Sequence, residues 1–144
     1  MLIICVVLTF AVFNLIKVLM RRPRYRVIAE IGDLSLYKNF WEPFPQYNEY
    51  IELGYISEEF KSFPSGHTST STCLCIICFI PYIFNQDKKK CYWLFLIGIA
   101  WGCIVAFSRM LCGAHFATDV GFGMLLGTIF CFIANEIALR KVLK

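Results

Sequence analysis

The chain has 144 residues and a mass of 16.6 kDa, the length of one domain. Hydrophobic residues make up 58%, charged residues 17%, and the formal net charge is +4. Soluble domains carry about 25% charged residues, and this apolar excess cannot all be buried in a water-soluble globule of such size. The hydrophobicity excludes disorder, and the basic residues form no long exposed stripe of the kind that binds nucleic acid. A multi-span membrane protein is the class that remains.

Four charge-free runs cover 1–16, 68–86, 91–108 and 120–135. A spanning helix takes roughly 17–25 residues. The shorter runs reach this if Lys17 and Asp119 sit near a membrane face, Lys17 by snorkelling on its long stem. The first run lacks the basic start and small-residue cleavage site of a signal peptide. The expected fold is all-α and integral to the membrane: a four-helix bundle in a single domain over 1–144, with spans at about 1–20, 67–86, 91–108 and 117–138. An interfacial, extramembrane cap at about 21–66 separates the first two.

Four spans put both termini on one side, with the 87–90 turn and the 140–144 tail. Lys and Arg are densest there, so the positive-inside rule makes that side cytoplasmic and the other extracytoplasmic. The expected location is the plasma (inner) membrane. The cap carries Phe40, Trp41, Phe44, Tyr47, Tyr50, Tyr55 and Phe60. Rings at this density suit the headgroup layer, with short amphipathic helices expected near 33–40 and 57–61. Seven of eight cysteines lie in or at the ends of the apolar runs, where they read as small apolar fillers rather than a disulfide framework.

Chemistry gathers at the face opposite the termini. The only two histidines, His67 and His115, both fall there. So do three clusters: Lys17 through Arg22 to Arg24; Pro64-Ser65-Gly66-His67; and Ser108-Arg109 followed by His115 and Asp119. Lys17, Arg24 and Arg109 crowd cations that one nearby carboxylate cannot neutralise. Phosphate suits an arginine fork plus a lysine point charge. The Ser65–Thr68 stretch opens a helix, whose free N–H groups attract anions, although it also reads as an ordinary N-cap. His115 and Asp119 are four apart and share a helix face. Asp119 can then accept a hydrogen bond from one ring nitrogen and aim the other outward. The same spacing also suits a surface histidine beside a dipole-stabilising aspartate.

These residues resemble the signature of the type 2 phosphatidic-acid phosphatase superfamily, the membrane branch related to vanadium haloperoxidases and glucose-6-phosphatase. Its pattern is K-x6-R-P, then P-S-G-H, then S-R-x5-H-x3-D. Tyr25 stands where the first motif has proline; the other two motifs match in full. Membrane members typically have six spans, with the first motif after the third. This chain starts one span before that motif and reads as the catalytic four-helix core, which a homo-oligomer would complete.

The resemblance implies a metal-independent phosphatase with no cofactor. His115 would attack phosphorus and form a phosphohistidine, with Asp119 orienting it. His67 would protonate the leaving oxygen. Lys17, Arg24, Ser65, Gly66 and Arg109 would hold the phosphoryl oxygens. One histidine neutral and the other protonated implies a bell-shaped pH–rate profile. The implied partners are the bilayer and a lipid phosphate, such as phosphatidic acid, phosphatidylglycerol phosphate or undecaprenyl diphosphate. Two alternatives differ in class: an inactive or scaffolding member of the fold, and a metal-dependent hydrolase using His67, His115 and Asp119. The ring of cations would repel a divalent metal and argues against the second.

Overall fold

The structure, a computed structural model, describes residues 2–73 and 88–142. All regular elements among these residues are helical. Helix α1 (Leu2–Met20) leads into the short α2 (Tyr25–Ile31), a 3-10 turn at Leu34–Leu36, α3 (Tyr47–Glu52) and a second 3-10 turn at Ser57–Phe60. Then come α4 (Gly66–Thr72), α5 (Lys88–Leu111) and α6 (Ala117–Val142). Among the described residues, two stretches are long and apolar enough to cross a membrane, Lys89–Leu111 in α5 and Ala117–Ala134 in α6. Only 17% and 33% of these windows are buried, so most of their apolar side chains face outward, as lipid requires. The first expected span coincides with α1. Most of the second, with Cys75 and Cys78, lies outside the described residues.

Helices α4, α5 and α6 approach closely through small residues. A Cβ on Gly102 would come within 2.8 Å of Thr72 Oγ1. One on Gly123 would come within 2.5 Å of the Ser65 carbonyl oxygen, and one on Gly127 within 2.7 Å of that of Ser69. Membrane helices associate by such packing because lipid tails give them no hydrophobic reason to do so. Cys131 is buried, and Cys73, Cys91, Cys103 and Cys112 are at least partly exposed.

The segment between α1 and α4 builds its own small core. Val27, Ile28, Leu36, Phe44 and Phe60 are buried together, with Tyr47, Tyr50, Tyr55 and Phe116 packed around them. Phe44 stacks on Phe60 with ring centroids 5.7 Å apart, and Tyr47 meets Phe60 edge-on at 5.6 Å. The sequence reading spreads these rings along a headgroup layer. Phe44 and Phe60 instead pack inward on one another, because stacked aromatic faces gain contact that an interface does not offer. Trp41 and Leu53 stay exposed. The expected helices near 33–40 and 57–61 are single 3-10 turns.

Backbone bonds tie this segment to the helix ends. The Phe44 N–H donates to the Met20 carbonyl at 3.1 Å, Arg24 to Glu59 at 2.9 Å, Arg26 to Gly113 at 2.9 Å and Ser62 to Arg22 at 3.0 Å. The Ser65 N–H donates to the Asp119 carbonyl at 3.0 Å, joining the start of α4 to the first turn of α6. These bonds bring three stretches remote in sequence to one place.

Candidate active site

Local structure aims each motif. Helix α5 ends just after Arg109 in a Schellman turn: Gly113 N–H donates to Met110 and Ala114 N–H to Arg109. The turn needs Gly113, whose φ is +62°. It sets Arg109 and His115 on either side of one loop. The next helix opens with half of a capping box, in which Asp119 Oδ2 accepts the Phe116 N–H at 2.9 Å. Ser65 is the N-cap of α4. It is fully buried, and its hydroxyl lies 2.9 Å from that of Thr68. The Ser65 side chain therefore takes the capping role, where the family pattern implies a phosphoryl ligand. Gly66 and His67 follow as the first helical residues, with backbone N–H groups that a helix start leaves without intrahelical partners.

His115 is buried. Its Nδ1 lies 2.7 Å from the Ser62 carbonyl oxygen. A carbonyl can only accept, so Nδ1 carries a proton, and in the neutral ring the lone pair is on Nε2. The nearest Asp119 oxygen is 3.8 Å from Nδ1, beyond hydrogen-bond range. The direct His115–Asp119 hydrogen bond expected from their spacing is therefore not made. Ser62 orients the ring, and Asp119 acts on it as a nearby charge.

Asp119 is fully buried and has three other partners. Its Oδ1 accepts from Arg22 Nη1. Its Oδ2 accepts the Ser62 hydroxyl and the Phe116 N–H. Arg22 also donates to Thr118 Oγ1 at 2.9 Å. The guanidinium is only 1% exposed and lies over the Phe116 ring, 4.3 Å from its centroid. Cation–π contact compensates part of its desolvation.

Across from this buried hub stand the cations. The Lys17 ammonium sits over Gly66, since a Cβ there would be 3.5 Å from Nζ. His67 is exposed and within electrostatic reach of Arg109, His115, Lys17 and Arg24. Among the described residues, Lys17, Arg24 and Arg109 form no ion pair. The Nε groups of Arg24 and Arg109 are buried without a partner. The two acids nearest Arg24 are already engaged, Glu59 with Arg26 and Glu58 with Lys61. Burial, ahead of repulsion from Arg26 and Arg109, lowers the Arg24 pKa from its ordinary value, and the Glu59 charge only partly opposes this. An anion placed here would relieve that cost.

Below the cations an open groove of about 650 Å³ is lined by Phe10, Lys17, Gly66, His67, Trp101 and Val105, among others. A smaller cavity of about 210 Å³ continues past Phe13, Asn14, Ser69 and Cys73. Among the described residues no three His, Cys, Asp or Glu side chains gather as a metal-binding group.

Histidine-bearing motifs, a cluster of unpaired cations and two apolar helices thus share one end of a helical chain. The model of the PAP2 superfamily matches residues 1–142. The chain belongs to the PAP2 superfamily. It is also similar to phosphatidylglycerophosphatase B of Bacillus subtilis (strain 168), at 31% identity over 86 residues. That match covers 56% of this chain and 40% of the relative, so the chain spans well under half of that protein's length. No solved structure matches it.

Two residues of this cluster have partners that sequence reasoning does not reach. Arg22 shows only as an extra cation in the first cluster, and its burial against Asp119 has no signature in spacing. Ser62 contributes a backbone carbonyl, which any residue type could supply. The one available hint is its place three residues before the Ser65 cap.

Proposed function

We propose that the protein is a membrane lipid phosphatase that works without metal through a phosphohistidine. The observation that carries this reading is His115: its Nδ1–H is committed to the Ser62 carbonyl, which leaves Nε2 as the nucleophile, and His67 lies within electrostatic reach of both His115 and the cations. Lys17, Arg24 and Arg109 would hold the phosphoryl oxygens together with the Gly66 amide. Ser65 would serve by capping α4 and so presenting that amide. Nε2 attacks phosphorus, and the ester or anhydride oxygen leaves with a proton from His67. Water then attacks the phosphohistidine and releases phosphate, and the proton it gives up returns to His67. Positioning and charge stabilisation supply most of the rate, as phosphoryl transfer generally requires.

The groove supports a substrate with an apolar tail. Phe10 lies two helical turns from Lys17, about 10 Å along α1, so a headgroup at Lys17 would leave its chain against α1 and α5. Phosphatidic acid, phosphatidylglycerol phosphate and undecaprenyl diphosphate all have this form. The multi-pass topology, with four spans, an interfacial cap and the site on the extracytoplasmic side of the plasma membrane, belongs to the same proposal. So does a homo-oligomer.

Phosphate release in detergent with excess EDTA tests the reading on those three lipids. Wild type should release phosphate, and His115→Ala should abolish it. His67→Ala should slow it by about 10²–10⁴-fold, the usual worth of a general acid. Release that stops in EDTA, or survives in His115→Ala, would overturn the mechanism. No release from a folded wild type would favour an inactive member of the fold.

A further inference from the structure

The buried Arg22 has no part in the scheme above, yet it is the most completely desolvated cation described. Its Nη1 binds Asp119 Oδ1 and Thr118 Oγ1. Phe116 covers the guanidinium face, and Tyr37 lies 5.4 Å away. At 1% exposure it cannot meet a substrate as the side chain stands. Asp119, in turn, reaches His115 only as a charge, 3.8 Å from Nδ1.

We infer that Arg22 is a positioning residue that holds the Asp119 carboxylate beside His115 but out of hydrogen-bond contact with it. The inference rests on the phosphohistidine reading. The geometry divides the carboxylate between two holders. Oδ2 is held by the Ser62 hydroxyl and the Phe116 N–H, whereas Oδ1 has Arg22. Ser62 links the two halves of the device, because its carbonyl takes the His115 proton while its hydroxyl takes Asp119.

Without Arg22, Oδ1 is a buried anionic oxygen with no partner, which is strongly unfavourable. The nearest remedy is rotation toward the His115 ring. There the carboxylate competes with the Ser62 carbonyl for the Nδ1 proton and turns Nε2 off the line of attack. Misplacement of about 1 Å in an attacking group can cost 10²-fold in rate. With Arg22 present, Asp119 still stabilises the positive ring once Nε2 carries the phosphoryl group, and the ring need not turn to meet it.

A double-mutant cycle in detergent, assayed on phosphatidylglycerol phosphate with EDTA present, tests the assignment. Arg22→Gln should lower kcat by about 10- to 100-fold and leave KM within about threefold, because Arg22 does not touch the lipid. Arg22→Lys should recover part of the loss. In an Asp119→Asn background, Arg22→Gln should change kcat by less than about threefold, since the residue acts only through the carboxylate. That double variant holds no buried charge at the hub, so it reports even if Arg22→Gln alone fails to fold. A rise in KM that persists in the Asp119→Asn background would mean that the unpaired Nε and Nη2 hold phosphate directly, and would overturn the assignment. So would unchanged kcat in Arg22→Gln of an active protein, or full additivity across the cycle. A folded wild type without phosphate release would instead overturn the phosphatase reading, and this assignment with it.

Discussion

The two sides of the site differ in who holds their charges. On the His115 side, Arg22, Asp119 and Ser62 hold one another in a fully buried hub, and the exposed Thr118 adds one more bond to Arg22. On the opposite side, Lys17, Arg24 and Arg109 are brought together with no ion pair among the described residues, and the nearby Glu58 and Glu59 are turned to other cations. Burial is costly for a charge in both places. The hub repays much of that cost within the protein, since Asp119 pairs with Arg22 Nη1 and is itself fully bonded, although Arg22 Nε and Nη2 have no partner among the described residues. The cationic side leaves it outstanding, and an anion bound there would offset it. A nucleophile needs the first condition, and a phosphate site needs the second.

That contrast is open to direct attack. The largest effect on stability is expected at the hub. Asp119→Ala leaves the Arg22 guanidinium buried without its partner, which should cost about 3–5 kcal/mol, read as a lower unfolding midpoint in detergent. An unchanged midpoint would mean that the hub is not settled internally. Arg24→Ala or Arg109→Ala should do the reverse. Stability should stay level or rise as a strained cation is removed, while kcat/KM falls by about 10- to 150-fold, the worth of a 1.5–3 kcal/mol hydrogen bond to a charged group. Orthovanadate should raise the unfolding midpoint of the wild type and do so much less in these variants. A loss of stability in either would show that the cation serves the fold.

The α4–α6 contact supports both sides, and it can be pushed apart. Gly123→Ala should cost about 1–3 kcal/mol by overpacking against the Ser65 carbonyl. Gly121→Ala, where nothing lies within 4 Å of the added methyl, should be neutral or slightly stabilising through helix propensity. Equal midpoints for the two would contradict the close approach.

The smallest effect belongs to the outer pair of Glu59 with Arg26. The Arg26 hydrogen bond holds the Glu59 carboxyl below the ordinary glutamate value. Because the folded pKa is the lower one, the stabilisation is present above the unfolded value and disappears as pH falls through the folded one. Glu59→Gln should therefore lower the midpoint slightly near neutral pH, by no more than about 1 kcal/mol for so screened a pair. The difference should close in acid, and one that widened there would refute the assignment.

Much of this arrangement is legible in residue order. Charge-free runs mark the helices, and the capping pattern at Ser65 marks where one of them starts. The clustering of cations at one face follows from the same runs. The inward packing of Phe44 and Phe60 is not legible, because a segment dense in rings reads alike whether they face lipid headgroups or each other. The partner of His115 is misread for a related reason. Helical spacing brings Asp119 near the ring, but distance alone does not say which of two acceptors takes the proton.

By itself the sequence determined the class of the molecule, the residue types at its reactive end and their assignment to helix ends, since these follow from local hydrophobicity, charge and spacing. Only the tertiary structure decided that Ser62, separated from His115 by 53 positions, takes its proton, and that Arg22, separated from Asp119 by 97, neutralises the carboxylate. The physical reason is that a backbone carbonyl has no signature in residue identity, and that the partner of a buried charge is chosen by where the chain passes, not by what precedes or follows it.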